Sequence, residues 1–237
     1  MQNRYLDGTY LAQNPGWHTQ DGFWKLTHVK RALKRAQLPD IIETVCDIGC
    51  GSGELLRRWA EEEPGVSFWG YEPSPQAFGL CLQKKPDNVE FVLSATPEKG
   101  KTFDLALALD VLEHVPNPQE LLETLKQSAP RIILHVPLEK NLRTFLSPSL
   151  LERERRMVGH LHFYTWFSLK KLLQDSGLRV VGKHYTHKYL ERPPVLKNVR
   201  SQVGRFIRKT VHFLLPRSWA ALTVGGYSVM LVLERED

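Results

Sequence analysis

Apolar residues recur at helical spacing through "FWKLTHVKRALKRA" (Trp24, Val29, Leu33, Ala36). This predicts a helix that starts after Asp21 as its N-cap and ends before Pro39. Residues 1–20 show little periodicity and are rich in Gly, Asn and aromatics, so they read as an ordered arm or loop. From Glu43 onward, short apolar runs alternate with amphipathic stretches. "ETVCDI", "VSFWGYE", "NVEFVLS", "FDLALALD" and "RIILHVPL" read as buried strands. "GELLRRWAEEE", "SPQAFGLCLQKK" and "NPQELLETLKQSA" read as the helices between them. Such alternation predicts a parallel sheet covered on both faces, and right-handed crossovers make it a doubly wound α/β fold. Beyond Pro137 the pattern loosens into a charged, partly helical insertion over 138–158. A helix in "SLKKLLQDSG", a strand in "LRVVGKHYT" and a strong final strand in "YSVMLVLERE" follow.

Composition adds little to this picture and charge adds more. The chain has 237 residues, 42% hydrophobic and 24% charged, which is an ordinary globular balance. No stretch approaches the roughly 20 apolar residues of a membrane span, and the N-terminus shows no apolar signal region, so a cytoplasmic location is expected. Three cysteines, two of them spaced C-x3-C, do not form a zinc pattern and read as small buried thiols. The net charge is +6, but Lys183 to Arg217 holds nine Lys or Arg against one acid, Glu191. The remainder of the chain is therefore slightly acidic.

"VCDIGCGSGELL" places three glycines on alternate positions where the first strand turns into the next helix. Ligands of open α/β sheets bind outside the carboxyl ends of the strands, where bare backbone allows close approach. The pattern Gly49-x-Gly51-x-Gly53 departs from the dinucleotide spacing G-x-G-x-x-G. Asp47 before the loop and Glu54 after it would repel a pyrophosphate and attract an ammonium or sulfonium. Glu72 ends the second strand, 19 residues beyond Gly53, where a carboxylate can accept hydrogen bonds from both ribose hydroxyls. These features fit an S-adenosylmethionine pocket better than a nicotinamide one.

"VCDIGCGSGELL", "FWGYEPS", "FDLALALDVLEHVPNP" and "IILHVPL" together resemble the successive motifs of class I S-adenosylmethionine-dependent methyltransferases. The resemblance covers roughly residues 40–186 and the final strand. It implies a seven-stranded Rossmann-like sheet whose last strand is antiparallel and inserted beside the previous one. It also implies that Asp47, Gly49, Gly51 and Gly53 hold the methionine end of S-adenosyl-L-methionine. Glu72 would then hold the ribose, and Pro73 and Asp110 are further candidate cofactor-binding residues. The third strand departs from the family by ending in Ser94-Ala95-Thr96 rather than an acid, so adenine recognition is expected from backbone groups. The resulting division is an N-terminal arm and helix over 1–40 and a methyltransferase domain over 41–237. Residues 138–165 and 187–221 form substrate-side insertions.

Asp110, Glu113 and His114 in "LDVLEHVPNP" would share a face on a helical turn. Three readings stay open: Asp110 orders the pocket while the other two hold the loop, His114 is a general base, or the group holds a divalent metal. The segment resembles ubiquinone-pathway and small-RNA O-methyltransferases in which such residues bind metal. Metal is not the favoured reading, and no metal ligand is assigned. The candidate catalytic residues are His114, His160 and His162. The last two, in "GHLHFYT", would point to opposite faces if extended, so at most one would join a metal site. Trp17, His18 and Trp24 either cover the cofactor or pack the arm on the domain.

"VLKNVRSQVGRFIRKTVHFLLP" places Val195, Val199, Val203, Phe206, Ile207, Val211 and Leu214 at helical spacing among Lys and Arg. This basic amphipathic helix, 195–215, could lie on anionic lipid, close over a phosphate-bearing substrate, or dock on its own domain. Nothing resembles an RNA-reading module, so nucleic acid is not expected. The chain resembles methyltransferases of bacterial polysaccharide assembly, which implies O-methylation of a saccharide or other small hydroxylated acceptor. The other readings are a metal-assisted O-methyltransferase of RNA or a quinone-type substrate, and a non-catalytic cofactor-binding protein. Oligomeric state is left open.

Overall fold

A computed structural model describes residues 19–37, 41–191 and 199–236. Helix α1 (Gly22–Ala36) follows a single turn of 3-10 helix (Thr19–Asp21). Asp21 stands at the N-cap position but makes no side-chain cap bond, contrary to expectation. Its carboxylate is paired instead with the Lys188 ammonium.

The expected alternation is present. Strand β1 (Thr44–Ile48) leads into α2 (Glu54–Glu62), β2 (Ser67–Tyr71) into α3 (Pro75–Cys81), and β3 (Val89–Val92) is followed by β4 (Leu105–Leu109). Helix α4 (Pro118–Ser128) connects to β5 (Arg131–Leu138). All five residues of β4, "LALAL", are buried, as expected of a strand covered on both faces. Two helices begin as their sequences dictate. Ser74 and Asn117 accept hydrogen bonds from Ala77 and Glu120, and in each case proline occupies the first turn.

The loosened region contains two short helices, α5 (Leu142–Leu146) and α6 (Ser149–Met157). Helix α7 (Trp166–Asp175) opens on a capping box between Thr165 and Ser168 and leads to β6 (Leu178–Thr186). Helices α8 (Lys188–Glu191), α9 (Val199–Leu214) and α10 (Arg217–Thr223) precede β7 (Tyr227–Arg235). Val195 and Lys197 of the basic stretch, and Trp17 and His18 of the arm, lie outside the described residues.

The seven strands run in the order β3-β2-β1-β4-β5-β7-β6. The first five pair in parallel, and β7 runs antiparallel between β5 and β6. Two apolar layers flank the sheet. One includes Leu122, Leu125, Leu169 and Leu173 under α4 and α7. The other includes Leu26, Val29, Leu56 and Trp59 under α1 and α2. Strand order reverses between β1 and β4. The loops that follow these two strands, and the residues that lead into antiparallel β7, therefore meet at one edge of the sheet.

Candidate active site

A cavity of about 660 Å³ opens at that edge. Its lining includes Gly49, Gly51, Glu72, Pro73 and Asp110 from the ends of β1, β2 and β4, together with Glu113, His114, Glu139 and His160. Gly225 and Gly226, just before β7, also line it, both with positive φ (66° and 79°).

The three glycines of the first loop all adopt left-handed backbone, with φ of 78°, 60° and 72°, a conformation that side chains oppose. Their surroundings differ. A Cβ on Gly51 would meet nothing within 4 Å, so this is where the bare backbone faces open space. A Cβ on Gly53 would lie 2.5 Å from the Phe91 ring, and one on Gly49 would lie 2.7 Å from Val111. Gly53 does not line the cavity; it admits the Phe91 and Cys81 side chains behind the loop.

Asp47 also stands behind the cavity lining. It is buried in β1, and its Oδ1 has no hydrogen-bond partner. Burial pushes its carboxyl up to about 7, with Glu72 adding to the rise and Lys25 opposing it. Glu72 accepts hydrogen bonds from the Gly51 amide at 2.9 Å and the Ser74 amide at 2.8 Å. Burial nonetheless raises it to about 7, because the two amides only partly offset desolvation. Glu54, expected to add negative charge here, is turned toward Arg57 and Arg58 at 3.3 and 2.6 Å. The carboxyls at the cavity instead include Glu72 and Asp110, with Asp47 behind them.

Asp110 does not share a helical face with Glu113 and His114. It has a φ of 62°, and the residues after it form a turn rather than a helix. Its carboxylate is held by His135 Nδ1 at 2.6 Å and Lys25 Nζ at 2.8 Å. Burial opposes ionisation, but His135 and Lys25 beside it hold the carboxyl well below its ordinary value. His135 Nε2 continues the chain to the Thr186 hydroxyl at 2.9 Å. Trp24 packs edge-on against His28 and His135 and donates to Glu191 at 2.8 Å. It does not line the cavity, so it anchors α1 rather than covering a ligand.

Glu113, His114 and His160 each offer a ligand atom within 4.8 Å of the others. Both Glu113 carboxylate oxygens are buried without a hydrogen-bond partner. Burial, with Asp110 adding, pushes that carboxyl up to about 8. Burial and the neighbouring His160 push His114 down to about 4. Burial also opposes the charge on His160, but Glu139 at 2.7 Å from Nδ1 and the nearby Glu113 outweigh it and raise the imidazole. His162 is not brought into this group. Its Nε2 bonds the Val115 carbonyl at 3.0 Å, and it does not line the cavity. Lys25, Glu139 and the Gly225-Gly226 pair are members that sequence reasoning missed.

A family model described as "Methyltransferase domain" matches residues 17–183. The chain belongs to the methyltransferase-domain family. The methyltransferase domain is 29% identical over 111 residues to a ubiquinone biosynthesis O-methyltransferase of Azoarcus sp. (strain BH72), covering 43% of this chain and 47% of that protein. It is 27% identical over 130 residues to (S)-coclaurine N-methyltransferase of Papaver somniferum, covering 51% of this chain and 37% of that protein. The chain thus spans about half the length, or less, of these curated relatives. Magnesium protoporphyrin IX methyltransferase from Synechocystis PCC 6803, solved with bound SAH, shares the fold at a TM-score of 0.53 and 18% identity. That match covers 92% of this chain and 83% of the other. No helix among the described residues is long and apolar enough to cross a membrane.

Proposed function

We propose that this methyltransferase domain transfers the methyl group of S-adenosyl-L-methionine to a hydroxyl oxygen of a small acceptor, a saccharide or a comparable polyhydroxylated molecule. The observation that carries the reading is that one cavity at the strand-order reversal is lined both by the glycine loop with Glu72 and Asp110 and by the His160–Glu139 pair. Gly51 exposes backbone to the cofactor, and Glu72 keeps lone pairs for the ribose hydroxyls beyond its two amide bonds. Asp47 and Asp110 supply the negative field for a sulfonium and an ammonium. Bound cofactor supplies an electrophilic methyl on sulfur. The protein's task is then to place the acceptor oxygen in line with it and take the hydroxyl proton.

His160 is the best-prepared base. Its Nδ1 faces Glu139 and so carries the proton in the neutral ring, leaving Nε2 to accept the acceptor's proton. Glu139 then stabilises the imidazolium. His114, pushed down to about 4, is neutral at pH 7 and is the weaker base. The test is calorimetric titration of S-adenosylhomocysteine into wild type and Glu72→Ala, followed by an acceptor screen with His160→Gln. Saturable binding weakened in Glu72→Ala supports the pocket, and retained turnover in His160→Gln would remove His160 as base.

A second reading is favoured by the orphaned Glu113 carboxylate. Glu113, His114 and His160 form a two-nitrogen, one-oxygen donor set that suits a divalent transition metal better than magnesium. Glu139 would orient His160 from behind, as outer carboxylates do in such sites. A metal held there would lower the pKa of the acceptor hydroxyl. Titration of manganese into wild type and His160→Ala separates this reading from a metal-free base: heat lost in the variant supports it, and no heat in wild type excludes it.

A further inference from the structure

Helix α9, the turn after it and α10 carry Phe206, Phe213, Leu214, Leu215 and Trp219. Four of these are exposed to between 63% (Trp219) and 88% (Phe213). This is the reverse of what a helix docked on its own domain would do. Val211 alone of the described apolar positions in α9 packs against the core, and Phe206, Ile207 and Leu214 are left in solvent. Helix α10 touches both α9 and α5, and α5 adds exposed Leu142, Phe145 and Leu146. The apolar exposure therefore runs over three neighbouring helices. Isolated exposed apolar residues need no explanation, but exposed large apolar residues gathered on three helices in contact point to an interaction face.

The charge of the same segment selects the partner. Between Glu191 and Glu234 the sequence has no acid, and from Arg192 to Arg217 it has seven Lys or Arg. Lys209 and Arg217 are exposed among the apolar residues. A second copy of the chain would bring this cationic segment against itself, which costs repulsion. Residues 1–18 carry one acid and one base, so they have no charge to answer it. Bulky apolar side chains interleaved with cations, with no span-length helix among the described residues, are what an anionic bilayer surface accepts: aromatics enter the headgroup region and ammonium groups meet lipid phosphates.

We propose that α9, α10 and α5 form a docking face for an anionic lipid bilayer, with Phe213, Leu214 and Trp219 entering the headgroup layer. The face adjoins the cavity. Asn141, Arg143 and Thr144 of the α5 region line it, and His212 of α9 bonds the Tyr227 hydroxyl at its wall at 2.8 Å. Docking would set the cavity mouth beside the membrane. This proposal stands independently of the methyl-transfer reading.

The experiment is co-sedimentation of the full chain with vesicles of phosphatidylcholine alone and of phosphatidylcholine with roughly 30 mol% phosphatidylglycerol. Wild type should pellet with the anionic vesicles, release as salt rises, and stay in solution with the neutral ones. Phe213→Ser/Trp219→Ser should weaken binding about tenfold or more, and Lys209→Glu by about fivefold or more. Phe23→Ser, an exposed aromatic on α1 outside the face, should leave it unchanged. Melting curves check that each variant is folded. Three results overturn the proposal: no pelleting of folded wild type with anionic vesicles, equal pelleting of the double variant, or a dimer abolished by the double variant with no vesicle binding. The last would make the face a contact between copies.

Discussion

Lys25 Nζ lies 2.8 Å from an Asp110 carboxylate oxygen and 3.3 Å from the Leu109 carbonyl. It thereby ties the N-terminal helix to the end of β4 at the cavity wall. The residue comes from outside the glycine motif, yet it neutralises the carboxylate on which the strand-order reversal closes. Removing it leaves Asp110 with His135 alone. Both partners keep some solvent contact, so the loss is smaller than for a fully buried pair. Lys25→Met should cost about 1–2 kcal/mol of stability. Urea unfolding at pH 7 measures this, and a midpoint equal to wild type would show that His135 suffices.

The glycine loop offers a contrast between two neighbours of the same conformation. Gly51→Ala places a methyl in open space, so folding bears only the left-handed backbone penalty of about 1 kcal/mol. The methyl would, however, stand where the cofactor must approach. Gly53→Ala drives a methyl into Phe91 and Cys81 and should lose about 2–4 kcal/mol through overpacking and backbone strain. Thermal melting should separate them: Gly51→Ala folded but weak in S-adenosylhomocysteine binding, Gly53→Ala markedly less stable. The reverse order would assign the open position to Gly53.

The alternation of apolar runs was legible because it is local, whereas the cap expected of Asp21 is not made, because its carboxylate meets Lys188, distant in sequence. The strand-end positions Gly49, Glu72 and Asp110 were also legible, since a strand end fixes an edge of the sheet. The turn after β4 was not. A helical face was expected to group Asp110 with Glu113 and His114, but the left-handed Asp110 sends its carboxylate to Lys25 and His135. Glu139 and Lys25 carry no local signal, because each meets its partner through strands and helices distant in sequence. The choice between His160 and His162 was half legible. Extended backbone sends them apart, but only packing decides which one faces the cavity. The amphipathic pattern of 195–215 gave a helix, while the exposure of Phe206 and Leu214 depends on what the domain leaves uncovered.

Glu191 binds three groups at once: His28 Nε2 at 2.6 Å, Trp24 Nε1 at 2.8 Å and the His187 amide at 3.0 Å. It fastens α8, and with it the Lys188–Asp21 pair at the cavity wall, onto α1. Burial pushes its carboxyl up, but these three donors win and pull it down to about 2. A carboxyl depressed on folding stabilises the native state above its unfolded pKa of about 4.3. That contribution is lost as pH falls toward 2. Glu191→Ala should therefore lower stability at pH 7 by about 1–3 kcal/mol and flatten the acid limb of the stability curve. A variant whose acid limb matches wild type would show that other carboxyls set it.

Asp47 and Glu72 behave in the opposite sense. Burial raises both to about 7, above the ordinary values near 4. Without ligand, each is held protonated at mildly acid pH, and its ionisation costs native-state stability as pH rises from about 4 through 7. A sulfonium nearby favours the ionised forms, so cofactor binding should release protons below pH 7. The affinity for S-adenosyl-L-methionine should then rise at least about tenfold between pH 5.5 and 7.5. In Glu72→Gln one of the two titrating groups is gone, and the slope should fall. Calorimetry at pH 6.5 in two buffers of different ionisation enthalpy counts the protons directly. A binding heat that does not depend on the buffer, with an affinity flat across that range, would mean that these carboxylates are already ionised before the cofactor arrives.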